Sequence, residues 1–419
     1  MVQEKEYLTF DDVDLKGKTV ILRVDINSPI DPFSGDILGD TRIRTHLETI
    51  RELKNSRTVI LAHQSRPGKS DFTTMEKHAK YISGLLKRKV NYIDDLFSSK
   101  AQDAIKGMKD GDIILLENTR LFSEEIVLKD ESIEKQANSH IVKNLSELAD
   151  YYINDAFAAA HRSQATLVGF TEVLPSLAGI VMDRELTAIT NALESNQHPC
   201  VVILGGQKVD DSIDVAENLL DKKIADTILT TGVVANMFLK GRGLKLGKPS
   251  MEYIRSEFKN CDELIENSTK LIKKYGKKIL TPVDFAIKDK NRRVKITIKD
   301  LPANKPIYDI GLETIVAYTN HINKAKIIIA NGPAGVFEME DFAIGTNEIF
   351  NAIANSKGYS IVGGGETTAV VNKLGIASKI NHISTGGGAC INLIAGKKLP
   401  VVEALKRSKM LVDKDVFCK

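Results

Sequence analysis

Arginine and histidine recur at one kind of position in the first half of this sequence, and glycine at the matching position in the second. In the first half, short apolar runs close in Arg23-Val24-Asp25-Ile26-Asn27-Ser28-Pro29, His63-Gln64-Ser65-Arg66-Pro67, Glu117-Asn118-Thr119-Arg120 and Asn154-Asp155-Ala156-Phe157, the last leading to His161-Arg162. Arg42 opens the helical pattern that follows the first of these turns. A guanidinium group grips phosphate and carboxylate through two parallel donors, so such a gathering suits a small, highly anionic ligand. In the second half the runs close in Gly205-Gly206-Gln207-Lys208, Thr231-Gly232, Asn331-Gly332-Pro333, Gly363-Gly364-Gly365-Glu366-Thr367 and Ser384-Thr385-Gly386-Gly387-Gly388. Glycine lets a backbone amide come close to a phosphate, and a following helix adds its positive end. One half therefore suits a compact anion and the other a nucleotide, and group transfer between them is the natural inference.

Each feature has a plainer explanation when taken alone. A Gly-Gly-Gly run is commonly a turn, an arginine at a strand end is commonly a surface charge, and His63 or His161 alone fits a packed histidine. The plain explanations lose because the features recur at one sheet edge and are segregated by half. The basic run Lys288–Lys295 is read differently, as a solvated charged hairpin or loop.

The elements that must carry these residues are short β-branched runs, most of them separated by helical patterns. They are Val20–Leu22, Val59–Leu61, Val90–Ile93, Ile113–Leu116 and Tyr151–Ile153, then Val201–Leu204, Thr227–Leu229, Lys278–Leu280, Ile327–Ile329, Ser360–Val362 and Asn381–Ile383. Runs apolar on both faces and alternating with helices indicate buried parallel strands in a doubly wound sheet. In Thr41–Leu53, the residues Ile43, Leu47, Ile50 and Leu53 form one helical stripe. Around Pro175–Leu193 the strand rhythm breaks, and Leu186, Ile189 and Leu193 mark an amphipathic helix able to join two domains. The domain boundary is placed near residue 182.

Length and composition agree with this layout. A chain of 419 residues exceeds one ordinary core. Its 42% hydrophobic and 27% charged residues are those of a folded protein. A net charge of only +3 offers nothing to draw nucleic acid. No run approaches the roughly 18 apolar residues of a membrane span. The opening residues are acidic and polar where a signal peptide would be basic and then apolar. Cys200, Cys261, Cys390 and Cys418 lie far apart and are read as reduced thiols of a cytoplasmic protein, without a zinc site. Neither a Walker A loop, nor protein-kinase signatures, nor an early GxGxxG, nor HExxH is present.

The segment Val20–Pro29 resembles the signature of the phosphoglycerate kinases, a strand closing in Arg-x-Asp-x-Asn-x-Pro. The resemblance continues in order through His63–Pro67, Leu116–Phe122, Asn154–Arg162, Leu204–Val209, Pro282–Phe285, Asn331–Glu338, Gly363–Thr367 and Ser384–Gly388. Asp211-Ser212 looks like the archaeal branch. The resemblance implies two Rossmann-like doubly wound parallel-sheet domains facing a cleft and joined by a hinge helix. Residues 1–182 would bind 3-phosphoglycerate, with a tail of about 402–419 packing back on them, and 183–401 would bind the nucleotide. It further implies that Asp25, Asn27, Arg42, His63, Arg66, Arg120 and Arg162 hold 3-phosphoglycerate, with His161 beside them. On the nucleotide side it implies Gly205, Gly206, Lys208, Asn331, Glu338, Gly363, Gly364, Gly365, Glu366 and Thr367, with Gly232, Gly311 and Leu312 near the adenine.

The implied reaction is reversible phosphoryl transfer from 1,3-bisphosphoglycerate to ADP, with Mg2+, in a cytoplasmic monomer. Arg42, Lys208, Gly364 and Gly365 would be the catalytic groups. The leaving or attacking oxygen is a carboxylate, so no general base is needed; positioning and charge do most of the catalysis. Closure of the domains would bring the ligands in line and expel water. Two departures stand out. Glu366 occupies the place where many members carry a magnesium-binding aspartate, and Ser212 stands where many carry a second lysine. A phospholigand-binding scaffold without catalysis would show degenerate residues at Arg42, Lys208 or the glycine loops, and none is degenerate. A nicotinamide-dependent dehydrogenase has less support still.

Overall fold

The structure is a computed structural model and describes residues 5–417; Cys418 and the end of the expected tail, residues 418 and 419, lie outside the described residues. Two compact units form, one from the residues up to Thr187 together with those from Lys398 on, the other Ala188–Lys397. The division falls within one helix, Ile180–Glu194, further along the chain than residue 182.

The first unit is built on six parallel strands, β1 (Thr19–Arg23), β2 (Arg57–Leu61), β3 (Asn91–Ile93), β4 (Ile113–Leu116), β5 (Tyr151–Asn154) and β6 (Ser176–Ala178), in the order β3-β4-β2-β1-β5-β6. Successive residues of β1 serve opposite cores. Val20 and Leu22 pack with Ile43, Leu47 and Ile50 of the helix Thr41–Glu52. Ile21 packs with Ile114, Tyr152 and Phe170 on the other face. Burying such a side chain is worth about 1.5–3 kcal/mol each, so a strand apolar on both faces is strongly fixed at the centre of the sheet. The helix Pro400–Val412 closes the unit against β6. There the Ser176 amide donates to Ser408 Oγ at 3.1 Å, and Arg407 pairs with Glu172 at 2.6 Å.

The second unit holds β7 (Cys200–Leu204), β8 (Thr227–Thr230), β9 (Ile279–Leu280), β10 (Asp284–Asp289), β11 (Arg292–Thr297), β12 (Ile307–Ile310), β13 (Ile327–Asn331), β14 (Tyr359–Gly363) and β15 (His382–Ile383). Six of them form a parallel sheet in the order β15-β14-β13-β7-β8-β9. The remaining three, β11-β10-β12, form an antiparallel sheet that the sequence analysis did not anticipate. The basic run 288–295 is the turn and flanks of its hairpin, as expected, although Arg293 is tied to Asp309 at 2.7 Å. β6 was also missed: it is three residues long and directly follows Pro175.

Cys200, Cys261 and Cys390 are buried. Among the described residues no helix is long and apolar enough to cross a membrane.

One buried group gives the first unit a pH dependence. His78, on the helix Glu76–Leu86, is wholly buried. Apart from an approach to the Ile26 backbone, its ring nitrogens meet no hydrogen-bonding partner among the described residues. Burial pulls its pKa down to about 4. The unfolded chain therefore takes up this proton first, near pH 6.5, and stability must fall as pH drops from there toward about 4. The expected loss is roughly 3 kcal/mol across that window. Urea unfolding at pH 7.5 and pH 4.5 should show a shallower loss for His78→Leu than for the parent. An identical slope in the two proteins would assign the acid sensitivity to other groups.

Candidate active site

In open α/β sheets ligands bind outside the carboxyl ends of the strands, where the strand order reverses. In the first unit that reversal lies between β1 and β5, which end in Arg23 and Asn154. Asp25 follows β1 and is buried; its Oδ2 accepts from Arg42 Nη1 at 2.6 Å and its Oδ1 from the Asn27 amide at 3.2 Å. Asn27 Oδ1 in turn accepts from the Ser65 amide at 2.8 Å, joining the β1 and β2 loops. Arg120 donates to the Ser65 carbonyl and so rests on the same loop. Arg66 is exposed on that loop, and Arg162 is half-buried beside His161.

The electrostatics are those of a site awaiting an anion. Burial, then the nearby Arg162 and Arg23, lowers the pKa of Arg120 to about 10. Burial likewise lowers that of Arg162, with Arg23, Arg42 and Arg66 among the charges acting on it. Burial would raise the pKa of Asp25, but His63, Arg42, His46 and Arg23 facing it hold the carboxyl well below the ordinary carboxylate range. Like charges held together destabilise one another until an anion joins them, so a phosphate or carboxylate bound here relieves the strain.

His63 shows how the site is prepared. It is buried, and burial together with Arg23 pushes its pKa well down. Arg23 Nη2 lies 3.0 Å from His63 Nδ1 and can only donate, so the neutral ring carries its proton on Nε2. Arg23 is itself fully buried; its Nε donates to Thr166 Oγ1 at 3.1 Å, and that hydroxyl donates to Glu125 at 2.6 Å. Burial raises the pKa of Glu125, against the pull of Arg23. Glu125, Thr166 and Arg23 thus fix the tautomer of the buried His63 imidazole. The sequence analysis placed Arg23 in the motif without a role and did not mention Glu125, whose partners lie far along the chain.

In the second unit the order reverses between β7 and β13. Gly205 and Gly332 follow these strands and press against each other: a Cβ on Gly332, whose φ is +82°, would lie 2.2 Å from the Gly205 carbonyl. The Gly205 amide donates to the Asn331 carbonyl at 2.8 Å, Gly206 to Pro333 at 2.8 Å and Gly232 to Ala334 at 3.0 Å. The Gly205 and Gly206 amides are thus turned to carbonyls of the neighbouring loop. These glycines serve the close approach of two loops, and their amides are already engaged. The groups open to a phosphate lie next door. Gly364 and Gly365 begin the helix Gly365–Lys373, whose first amides have no intrahelical acceptor. Asn331 Nδ2 is a buried donor without a partner, and a Cβ on Gly364 would lie 3.2 Å from it. The Thr367 hydroxyl accepts from the Gly332 amide at 2.9 Å, while Gly363 is buried at the end of β14.

Beside these groups opens a cavity of about 380 Å³ lined by Gly206, Gly232, Tyr253, Pro306, Phe337 and Glu338, with Glu366 at its edge. An apolar slot ending at a free helix start has the form of a nucleotide site. Lys208 is exposed at the start of the helix Val209–Asp221. Gly311 and Leu312 are not among the residues lining the cavity. The Gly311 backbone packs so closely on the Asp284 carboxylate that a Cβ there would approach it to 2.2 Å, and Leu312 is exposed on the following helix.

Magnesium keeps several waters and binds through one or two carboxylates together with substrate phosphates. Glu366 fits that requirement. It is exposed in the first turn of its helix, and a Cβ on Gly206 would lie 3.5 Å from its Oε2. No cluster of three or more His, Cys, Asp or Glu able to hold a metal occurs among the described residues.

Comparison with known proteins follows the same lines. The sequence profile of the family described as phosphoglycerate kinase matches residues 10–397. The phosphoglycerate kinase of Methanothermobacter thermautotrophicus is 53% identical over 406 residues, covering 96% of this chain and 98% of its own. That of Methanothermus fervidus is 50% identical over 411 residues, covering 98% and 99%. The crystal structure of phosphoglycerate kinase from Pyrococcus horikoshii OT3 superposes with a TM-score of 0.88 at 42% identity, over 96% of this chain and 99% of that one.

Proposed function

The chain belongs to the phosphoglycerate kinase family, and from that premise we propose a division of labour among its residues. Its activity is the reversible transfer of a phosphoryl group between 1,3-bisphosphoglycerate and ADP, a step of glycolysis and gluconeogenesis. Asp25, Asn27, His63, Arg66, Arg120 and Arg162 hold 3-phosphoglycerate. Asn331, Gly364, Gly365 and Thr367 receive the nucleotide phosphates, Gly206 and Gly232 flank the base, and Glu338 lies within reach of the ribose. Arg42 and Lys208 stabilise the charge on the transferring group.

The observation that carries this reading is the segregation of the two kinds of site. Arginines with lowered pKa surround Asp25 in one unit, and an unpartnered Asn331 amide faces an open helix start in the other. Transfer between an acyl phosphate and a nucleotide needs charge stabilisation along the equatorial oxygens and no proton removal. Magnesium, when bound, neutralises nucleotide phosphates, and Glu366 is the side chain we assign to it. The Asn331 amide and the first amides of the helix Gly365–Lys373 orient the phosphate chain.

Arg66 tests the substrate assignment because it is exposed and its loss leaves no buried charge unpaired. Arg66→Ala should weaken 3-phosphoglycerate binding by about tenfold or more, the worth of one charge-assisted contact, with ATP affinity unchanged. Titration calorimetry of each ligand separately decides it. Undiminished 3-phosphoglycerate affinity, or a loss on the ATP side, would put the glycerate elsewhere.

A further inference from the structure

The helix Thr41–Glu52 places Arg42, His46 and Thr49 four and then three residues apart, on one face. Arg42 reaches Asp25, as described. The other two reach Asp155, which follows β5 and is fully buried. Asp155 Oδ2 accepts from His46 Nδ1 at 2.7 Å and from Thr49 Oγ1 at 2.7 Å. Its Oδ1 accepts from the backbone amides of Val181 at 2.8 Å and Met182 at 3.3 Å, the first turn of the helix Ile180–Glu194. Gly179 exists for this approach, since a Cβ there would lie 2.2 Å from Asp155 Oδ1. On the far side of the imidazole, the Asp25 amide donates to His46 Nε2 at 3.3 Å. A backbone amide can only donate, so Nε2 is bare and the ring is neutral with its proton on Nδ1, held by Asp155.

From this geometry we infer that His46 and Asp155 are positioning residues for the transfer. His46 fixes the backbone of Asp25, and with it the ion pair that aims Arg42. Asp155 locks this assembly to the first turn of the helix that continues into the second unit. A ligand that engages Asp25 and Arg42 thereby acts on that helix through one carboxylate. The strut is buried and makes four hydrogen bonds at one acid, whereas the surface pair Arg184–Glu48 between the same two helices is exposed and adds little. Packing alone does not require a histidine here; a small apolar residue would leave the helix stripe intact, so the polarity serves the connection. The inference rests on the reading of Asp25 as a substrate contact and of Arg42 as the group that meets the transferring phosphoryl.

The full-length protein tests it with His46→Ala and His46→Gln. Glutamine can accept from the Asp25 amide and donate to Asp155, so it should rescue what alanine loses. Calorimetry is expected to show 3-phosphoglycerate affinity lowered about tenfold in His46→Ala and within about threefold in His46→Gln, with ATP affinity unchanged in both. Hydrogen exchange carries the transmission. Saturating 3-phosphoglycerate should slow exchange at the Val181 and Met182 amides in the parent and fail to do so in His46→Ala. Nitrogen-15 spectra of the parent's histidines should show His46 protonated on Nδ1. Parent-like affinity and protection in His46→Ala overturns the proposal, as does a proton on Nε2. If Asp25→Ala also binds 3-phosphoglycerate normally, the substrate reading beneath it has failed and takes the proposal with it.

Discussion

Arg42→Ala is expected to lower kcat by about 10²–10³-fold, the usual loss for a preorganised charge donor, with a much smaller change in KM for 3-phosphoglycerate. Arg42 sits in the first turn of its helix with Nη1 on Asp25 at 2.6 Å, while its side chain remains 43% exposed. One edge of the guanidinium is thus anchored and the rest of its fork is open to a ligand. Asp25 gains its low pKa partly from this partner, so the anchor is charged on both sides across the neutral range. A group that meets the transferring phosphoryl, rather than the resting phosphate, appears in kcat, whereas uniform binding appears in KM. Arg42→Lys should recover only part of the loss, since an ammonium cannot hold Asp25 and present a planar fork together. A coupled assay for ATP formation from 1,3-bisphosphoglycerate measures both parameters, and unchanged ATP affinity controls for folding. A near-normal kcat with only KM altered would remove Arg42 from the chemistry and leave it as a binding residue.

What the sequence revealed follows from how parallel sheets are built. A strand buried on both faces must be apolar throughout, so β1, β2, β4, β7 and β13 stand out, and whatever follows them marks the ligand edge. Strand β6 stayed hidden because three residues after a proline carry no pattern of their own. The antiparallel sheet was hidden because the exposed strand β11 reads as a charged loop. The division of the units within Ile180–Glu194 has no local mark, since that helix contains neither proline nor glycine. Within the site, the residues assigned to ligands were legible from type and place, and the residues that hold them were not. His46 meets Asp155 across 109 positions of sequence. Gly205 and Gly332 read as ligand-loop glycines from type and place, and the fold adds that they make room for each other.

Lys208→Ala should cost as much as loss of Arg42, about 10²–10³-fold in kcat, because no second cation stands ready on the same helix. Many family members carry another lysine at the position of Ser212. Here Ser212 is buried, at 3% exposure, and its hydroxyl donates to the Lys208 carbonyl at 2.7 Å. Ser212 therefore shapes the first turn of the helix Val209–Asp221 and leaves Lys208 as the exposed cation at that helix start. The helix's own positive end reinforces that charge without replacing it. Restoring the second lysine should not help. In Lys208→Ala, adding Ser212→Lys would force an ammonium into a buried site without a partner, at a cost of several kcal/mol, and lower the thermal midpoint with no gain in kcat. Lys208→Arg should keep more activity than alanine, since charge is preserved while the shape of the donor changes. Single-turnover measurements of the four proteins separate the chemical step from product release. A Lys208→Ala enzyme within a few-fold of the parent, or one rescued by Ser212→Lys, would move the transition-state charge on this side from Lys208 to the amides beginning the helix Gly365–Lys373.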